Sequence, residues 1–228
     1  MTSPRERILA SIRDGLLRAH LPADADGPPR HAAGESAAPT VADMPDQFSA
    51  ALTALSGHVH RASGAAGVAD IIAGIARAHQ AASCISWDDE HLGCAGLLGV
   101  LSSRGLARVT YDVSGEPGQR AVDVDALAGV GLGLTGAHAA LAETGGLVLV
   151  SGPGRGRLAS LLPPVHVAVV AERRLRPSLS ALLREEPDLL DAGSNVVIVA
   201  GPSRTADIEM TLTHGVHGPK HLHVILTA

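Results

Sequence analysis

The stretch His-Val-Ala-Val-Val-Ala-Glu at residues 166–172 decides the fold class of this chain of 228 residues. It lacks the polar alternation of a half-solvated strand, and such unbroken apolar runs are typical of strands buried on both faces of a sheet. A second run, Asn-Val-Val-Ile-Val-Ala at 195–200, predicts that Val197, Ile198 and Val199 are fully buried. Working outward, we predict strands at 84–87, 108–113, 131–136, 146–151 and 222–226 and helices at 65–80, 91–104, 177–190 and 205–213. This alternation predicts an α/β fold, with a three-layer, mostly parallel sheet covered on both faces.

The first 45 residues differ in character from the rest. Ile8, Ile12 and Leu16 recur every four residues, which predicts an N-terminal amphipathic helix, an arm within residues 1–20. Residues 21–45 contain five prolines and few bulky apolar side chains, a composition typical of a flexible linker. We therefore expect the α/β domain to occupy residues 46–228.

Composition excludes several classes of function. The formal net charge is −5, and the aromatic residues are only Phe48, Trp87 and Tyr111, so nucleic-acid binding is not expected. No apolar run is long enough to span a bilayer and no signal peptide is recognisable, which favours the cytoplasm. Cys84 and Cys94 are too few to hold an iron–sulfur cluster, so we expect no cofactor on this chain.

Two glycine-rich motifs lie in the middle of the chain. Gly131–Gly136 satisfies the pattern GxGxxG, but the acidic residue that a dinucleotide fold needs after the next strand is missing, so we interpret it as a strand packed close to its neighbours. The second motif, Ala-Glu-Thr-Gly-Gly at 142–146, places Glu143 at a turn before a buried strand. Glu143 is a candidate general base or nucleophile, although a carboxylate that caps the turn is the more common case.

Two further loops carry candidate anion ligands. In Ser-Gly-Pro-Gly-Arg-Gly-Arg at 151–157, Arg155 and Arg157 are able to clamp a carboxylate or phosphate, or else they belong to a solvated hairpin. The segment Gly-Pro-Ser-Arg-Thr-Ala-Asp-Ile-Glu at 201–209 follows the run at 195–200. If that run ends at the carboxyl edge of the sheet and a helix begins here, its free N–H groups form an anion site. Its candidate ligand-binding residues are Gly201, Ser203, Arg204, Thr205 and Asp207.

Four histidines, His214, His217, His221 and His223, lie within ten residues near the end of the chain. A metal site is one interpretation, but no Asp, Glu or Cys nearby completes a ligand set, and we predict none. His217, in Gly-Val-His-Gly-Pro at 215–219, is instead a candidate ligand contact.

These motifs together resemble the LUD-domain family, specifically its lactate-utilisation protein C (LutC) type. The matching stretches are 142–146, Leu-Leu-Pro-Pro-Val-His-Val-Ala-Val-Val at 161–170, 201–209 and 215–219, in that order. The resemblance implies a fold like that of the NagB/RpiA/CoA-transferase superfamily. It also implies a role in oxidising L-lactate to pyruvate, as a cluster-free component beside partner proteins that carry cysteine-rich and iron–sulfur elements.

Three hypotheses of function remain open at this point. The chain is an accessory component of a lactate-oxidising system that binds a small anion or a partner. Alternatively it is a stand-alone enzyme of the CoA-transferase-like, sugar-phosphate or folate type, with Glu143 as nucleophile or base, which rests on fold analogy. The third hypothesis is a metal-binding module built on the C-terminal histidines.

Overall fold

The computed structural model describes residues 4–18, 43–110, 125, 127, 129–206, 212–214 and 218–228. Of the linker predicted at 21–45, residues 21–42 lie outside these residues, as do Asp207 and His217. Met44 and Pro45 are described and form the start of the helix Met44–Ala54. The chain divides into two units, residues 1–38 and 39–228. In the first unit, helix α1 (Pro4–Arg18) exposes the side chains of Ile8, Leu9 and Ile12. None of the helices in the described ranges is long and apolar enough to cross a membrane.

The second unit is built on a six-stranded sheet in which every neighbouring pair is parallel. Its strands are β1 (His58–Ala62), β2 (Ser83–Ser86), β3 (Ala107–Arg108), β4 (Leu132–Gly136), β7 (Val165–Ala171) and β12 (His221–Thr227). The spatial order is β1-β12-β7-β4-β2-β3. Residues 166–171 of the run that opened the sequence analysis lie in β7, an inner strand whose seven residues are all buried. The fold is α/β, as predicted.

The helices of this unit carry the apolar spacing that buries one face of each. They are α2 (Met44–Ala54), α3 (Gly64–Ala78), α4 (Leu97–Ser103), α5 (Leu158–Leu161) and α6 (Leu179–Glu185). Helix α3 buries Val68, Ile72, Ile75 and their neighbours, which recur every three or four residues, and it packs on α4, β1 and β12. Helix α6 begins after a Ser178 cap, whose hydroxyl accepts from the N–H of Ala181 at 3.2 Å. Short 3₁₀ turns cover Asp89–His91, Glu172–Arg174 and Leu189–Asp191.

A second sheet was not anticipated from the sequence. It has the order β8-β5-β6-β9 and consists of β5 (Ala139–Leu141), β6 (Gly146–Ser151), β8 (Leu175–Arg176) and β9 (Asn195–Val199). The predicted full burial of Val197, Ile198 and Val199 is wrong, because β9 is an edge strand antiparallel to β6. Ile198 is 44% exposed, and Val197 and Val199 are half-buried.

The helix predicted at 205–213 is wrong at both of its ends, and residues 207–211 between them lie outside the described residues. Strands β10 (Arg204–Ala206) and β11 (Leu212–His214) form a two-stranded antiparallel sheet, with Thr205 opposite Thr213. The β-branched threonines favour strands over helices.

The glycines of the GxGxxG pattern serve packing, as interpreted. A Cβ on Gly133 would overlap the carbonyl oxygen of Ala159 in α5, and one on Gly136 would overlap that of His91. Strand β4 therefore lets α5 and the loop after β2 approach its backbone closely.

Candidate functional site

Two cavities open at the carboxyl ends of the parallel strands, which is where open α/β sheets bind ligands. The larger, about 340 Å³, is named here the Ser86 cavity, and the smaller, about 150 Å³, the Arg155 cavity. The first is lined by Ser86, Asp88, Arg108, Val109, Thr110, Gly152, Gly154 and Gly156. The second is lined by Trp87, Glu90, His91, Gly93, Ala137, His138, Val150, Arg155, Ala171, Arg173 and Arg174.

The charges of the Ser86 cavity are paired with each other. The guanidinium of Arg108 donates from Nη2 to Asp88 Oδ1 at 2.7 Å and from Nε to Ser86 Oγ at 2.8 Å. Since this cation already has a carboxylate partner, the cavity offers little net charge to a ligand.

The glycine-rich loop at 152–156 lies over the segment that follows β2. The N–H of Asp88 donates to the carbonyl of Gly154 at 2.9 Å, and the indole of Trp87 donates to the carbonyl of Gly156 at 3.1 Å. Gly154 has φ +69°, and a Cβ there would stand 2.7 Å from Asp88 Oδ2 and 3.2 Å from His91 Nε2. Gly154 thus leaves room for a carboxylate and an imidazole from the same loop.

The Arg155 cavity carries an excess of positive charge. Its lining contains three arginines, Arg155, Arg173 and Arg174, and one carboxylate, Glu90. The Nε of Arg155 is buried and has no hydrogen-bond partner within the described part of the chain. A buried donor without a partner is uncommon in folded proteins and calls for an explanation. This cavity, rather than the Ser86 cavity, is therefore the better site for an anion.

Two histidines line the Arg155 cavity, each beside a carboxylate. His138 Nε2 lies 2.6 Å from Glu186 Oε2, and His91 Nε2 lies 3.3 Å from Glu90 Oε1. The neighbouring Asp89 has a structural role, because its carboxylate accepts from the N–H groups of Gly96 at 2.7 Å and Leu98 at 2.8 Å and so caps the start of α4.

The residues predicted at 201–205 lie elsewhere. Arg204 donates to the carbonyl of Leu55 and, at 2.6 Å, to Ser56 Oγ, just before β1. The N–H of Ser203 donates to the carbonyl of Pro219 at 2.9 Å, just before β12, and Gly201 has φ +91° and lies against Leu55. These residues border the amino ends of the parallel strands. The expected carboxyl-edge position is wrong because β9 belongs to the other sheet, and the side chain of Thr205 lies outside the described residues.

Glu143 is exposed in the turn between β5 and β6, and its N–H donates to the carbonyl of Pro177 at 3.0 Å. It is absent from the described linings of both cavities. Arg155 and Arg157 follow the opposite end of β6. Arg157 is exposed and precedes α5. The structure therefore separates Glu143 from the two loop arginines by the length of a strand.

The C-terminal histidines meet three others that the sequence pattern did not connect with them. His58 stacks on His223 at 4.7 Å, and His60 Nε2 lies 3.1 Å from His223 Nδ1. His79, at the end of α3, contacts His221 with ring centroids 4.5 Å apart. In the described ranges no group of three or more His, Cys, Asp or Glu side chains is placed to hold a metal ion.

Burial raises the pKa of the Cys84 thiol to about 11, so this thiol is protonated at neutral pH.

The parallel sheet and the cavity at its carboxyl edge define an α/β protein, and comparison of its sequence with known proteins identifies the family. The profile of the LUD domain matches residues 45–227. The chain therefore belongs to the LUD domain family.

Individual relatives agree with this assignment. Lactate utilization protein C of Halalkalibacterium halodurans is 37% identical over 145 residues, which cover 62% of this chain and 60% of that protein. Its counterpart from a Geobacillus species is 32% identical over 157 residues, or 65% of this chain and 64% of that protein. The matched region thus spans less than two thirds of these relatives.

A solved structure shows the same fold. The crystal structure of a DUF162 family protein from Deinococcus radiodurans has a TM-score of 0.57 and 21% identity, covering 83% of this chain and 99% of that one.

The sequence singled out Arg155 as a candidate anion ligand, but not the other residues that line the Arg155 cavity. His138, Arg173 and Arg174 each follow the end of a parallel strand, β4 or β7. Polar residues directly after buried strands are the signal that would have found them.

Proposed function

We propose that this protein acts in L-lactate utilisation as a component that binds a small carboxylate, lactate or pyruvate, in the Arg155 cavity. The observation that carries the proposal is the buried, unpartnered Nε of Arg155 in a cavity shared with Arg173 and Arg174. A guanidinium presents N–H donors in a fixed fork that matches the two oxygens of a carboxylate. The names of the curated relatives support lactate as the metabolic context.

The partners in this proposal are iron–sulfur and cysteine-rich lactate-utilisation proteins, which would hold the redox groups. The two cysteines of this chain are consistent with that division of labour, because a cluster usually takes four thiolates.

Calorimetric titration of L-lactate and of pyruvate into the purified protein tests the proposed site. We expect binding by the wild type, and Arg155→Ala should weaken it by about 1.5–3 kcal/mol, or roughly 10- to 150-fold, because a charge-assisted pair is lost. Arg184→Ala removes the same charge from an exposed position of α6 and is the matched control. Equal affinity in the Arg155→Ala protein and the wild type would place the anion elsewhere.

Two further variants test the positions predicted from the sequence. Arg204→Ala and Arg157→Ala should retain the affinity for both acids, because neither side chain is part of the described lining of the Arg155 cavity. A loss of binding in Arg204→Ala alone would favour the amino edge of the sheet as the site.

Deletion of the gene tests the metabolic role. The deletion strain should grow poorly on L-lactate as sole carbon source, and the wild-type gene, but not Arg155→Ala, should restore growth. Normal growth of the deletion strain would reject the role.

A further inference from the structure

His138 occupies a position between the Arg155 cavity and a carboxylate. Its imidazole lines the cavity, while its Nε2 lies 2.6 Å from Glu186 Oε2. The two side chains are 20% and 33% exposed. Both backbones are anchored, because the N–H of His138 donates to the carbonyl of Val148 and that of Glu186 donates to the carbonyl of Leu182, each at 2.8 Å. The pair is therefore held in one geometry by β6 and α6.

The chemistry of imidazole limits what this pair does with an anion. A neutral imidazole has one N–H, whereas the protonated ring has two. An ionised carboxylate only accepts hydrogen bonds, so Glu186 takes the N–H at Nε2. The other nitrogen, Nδ1, then has no proton to offer. It is able to donate to a bound anion only after the ring gains a second proton.

We propose that His138 is a proton-coupled anion contact of the Arg155 cavity, where a carboxylate binds together with one proton that is taken up by the imidazole. The inference rests on the proposed function, since it concerns the same cavity. In the bound state the imidazolium lies between two negative groups, the ligand and Glu186, and donates to both.

The other charged and titratable groups that face this cavity set the direction of the coupling. These groups are Arg155, Arg173, Arg174 and Glu90 in the cavity lining, and Glu186 as the hydrogen-bond partner of His138. A bound carboxylate neutralises part of the arginine charge and adds a negative group. Protonation of His138 therefore accompanies binding. His91 also lines the cavity, but its partner Glu90 is 78% exposed and lies 3.3 Å away, so this contact is more strongly screened by water.

Calorimetry with L-lactate and pyruvate at pH 7.5, in two buffers of different ionisation enthalpy, measures proton uptake directly. The wild type should take up about one proton per bound anion, and its affinity should fall up to about tenfold per pH unit at alkaline pH. His138→Asn should bind more weakly with no proton uptake, and Glu186→Gln should reduce the uptake. His58→Asn, which removes a histidine outside the cavity, should behave as the wild type.

The outcomes separate this inference from the proposed function. Absence of any binding overturns both, whereas binding without proton uptake, or uptake that persists in His138→Asn, overturns this inference alone. Nitrogen-15 spectra of the imidazoles provide a readout without ligand. The neutral His138 ring should carry its proton on Nε2 in the wild type and lose this preference in Glu186→Gln, and a proton on Nδ1 in the wild type would contradict the proposal.

Discussion

The absence of a side chain at Gly154 leaves room for the carboxylate of Asp88 and the imidazole of His91 next to its backbone. The backbone at φ +69° brings the 152–156 loop against Asp88 and His91, and a Cβ would stand 2.7 Å from the carboxylate. Gly154 also stands where the two cavities adjoin, since it lines the Ser86 cavity while the next residue, Arg155, lines the Arg155 cavity. A glycine is therefore required here both for its backbone conformation and for the space it leaves.

Gly154→Ala tests this requirement against a matched control. Gly64 has φ +67° with nothing near its Cβ position, so Gly64→Ala carries the conformational cost of about 1 kcal/mol without the close contact. We expect Gly154→Ala to lose more stability than Gly64→Ala in urea unfolding, because it adds the close contact with Asp88 to the same conformational cost. Gly154→Ala alone should lose affinity for L-lactate and pyruvate. Unchanged affinity in Gly154→Ala would show that the loop position does not matter for the ligand.

Strands β7 and β9 show how the position in a sheet outweighs the residue types of a strand. Both have the same kind of apolar run, yet β7 lies between β12 and β4 and is buried throughout, whereas β9 is an edge strand with Ile198 44% exposed. The sequence predicted both as strands correctly. The sequence did not distinguish a central strand from an edge strand, because both kinds of strand contain apolar runs and their burial depends on which strands pair.

The variants Val167→Ala and Val197→Ala measure that difference. Val167 is fully buried, so loss of two methyl groups should cost about 2–3 kcal/mol, the transfer free energy plus the cavity left behind. Val197 is half-buried, and its substitution should cost less than about 1 kcal/mol. Urea unfolding measures the loss of unfolding free energy in each variant. Equal losses in Val167→Ala and Val197→Ala would contradict the assignment of β9 as an edge strand.

The stability of the whole molecule depends on pH through two buried histidines. Burial, with the nearby His58, His60, His79 and His221, lowers the pKa of His223 from 6.5 to about 3. Burial alone lowers the pKa of His166 from 6.5 to about 4. Within the described residues, the hydrogen-bond partner of this ring is Thr135, whose Oγ1 lies 2.8 Å from His166 Nε2. Below pH 6.5 the unfolded chain therefore binds more protons than the folded one.

We expect the free energy of unfolding to be constant above about pH 6.5 and to fall as the pH decreases from there towards 4 and 3. The slope approaches about 1.4 kcal/mol per pH unit for each extra proton bound by the unfolded chain. Urea unfolding between pH 5 and 8 measures it, and His223→Asn should reduce the slope. His91→Asn, which removes an imidazole outside the cluster, is the control. A slope equal to that of the wild type in His223→Asn would contradict the pKa of His223.

The amino-acid sequence by itself determined the fold class, strands β2, β4, β6, β7, β9 and β12, and the packing role of the glycines in β4. It also predicted a helix at 65–80, which the structure has at Gly64–Ala78. These follow from local periodicity and from the absence of a side chain, which act over a few residues. Arg155 was singled out as a candidate ligand from its place in a glycine-rich loop after a strand, and it lines a cavity, while its contact with a ligand stays a prediction.

Only the tertiary structure decided which residues share a site. Strand β9 pairs with β6 rather than with β7, which moves Ser203 and Arg204 to the amino edge and leaves Glu143 at a distant turn. Parallel pairing instead brings the loops after β2, β4 and β7 together, so that His138, Arg155 and Arg173 line one cavity. Strand order depends on contacts between residues far apart in the chain, and these leave no periodic signal in the sequence.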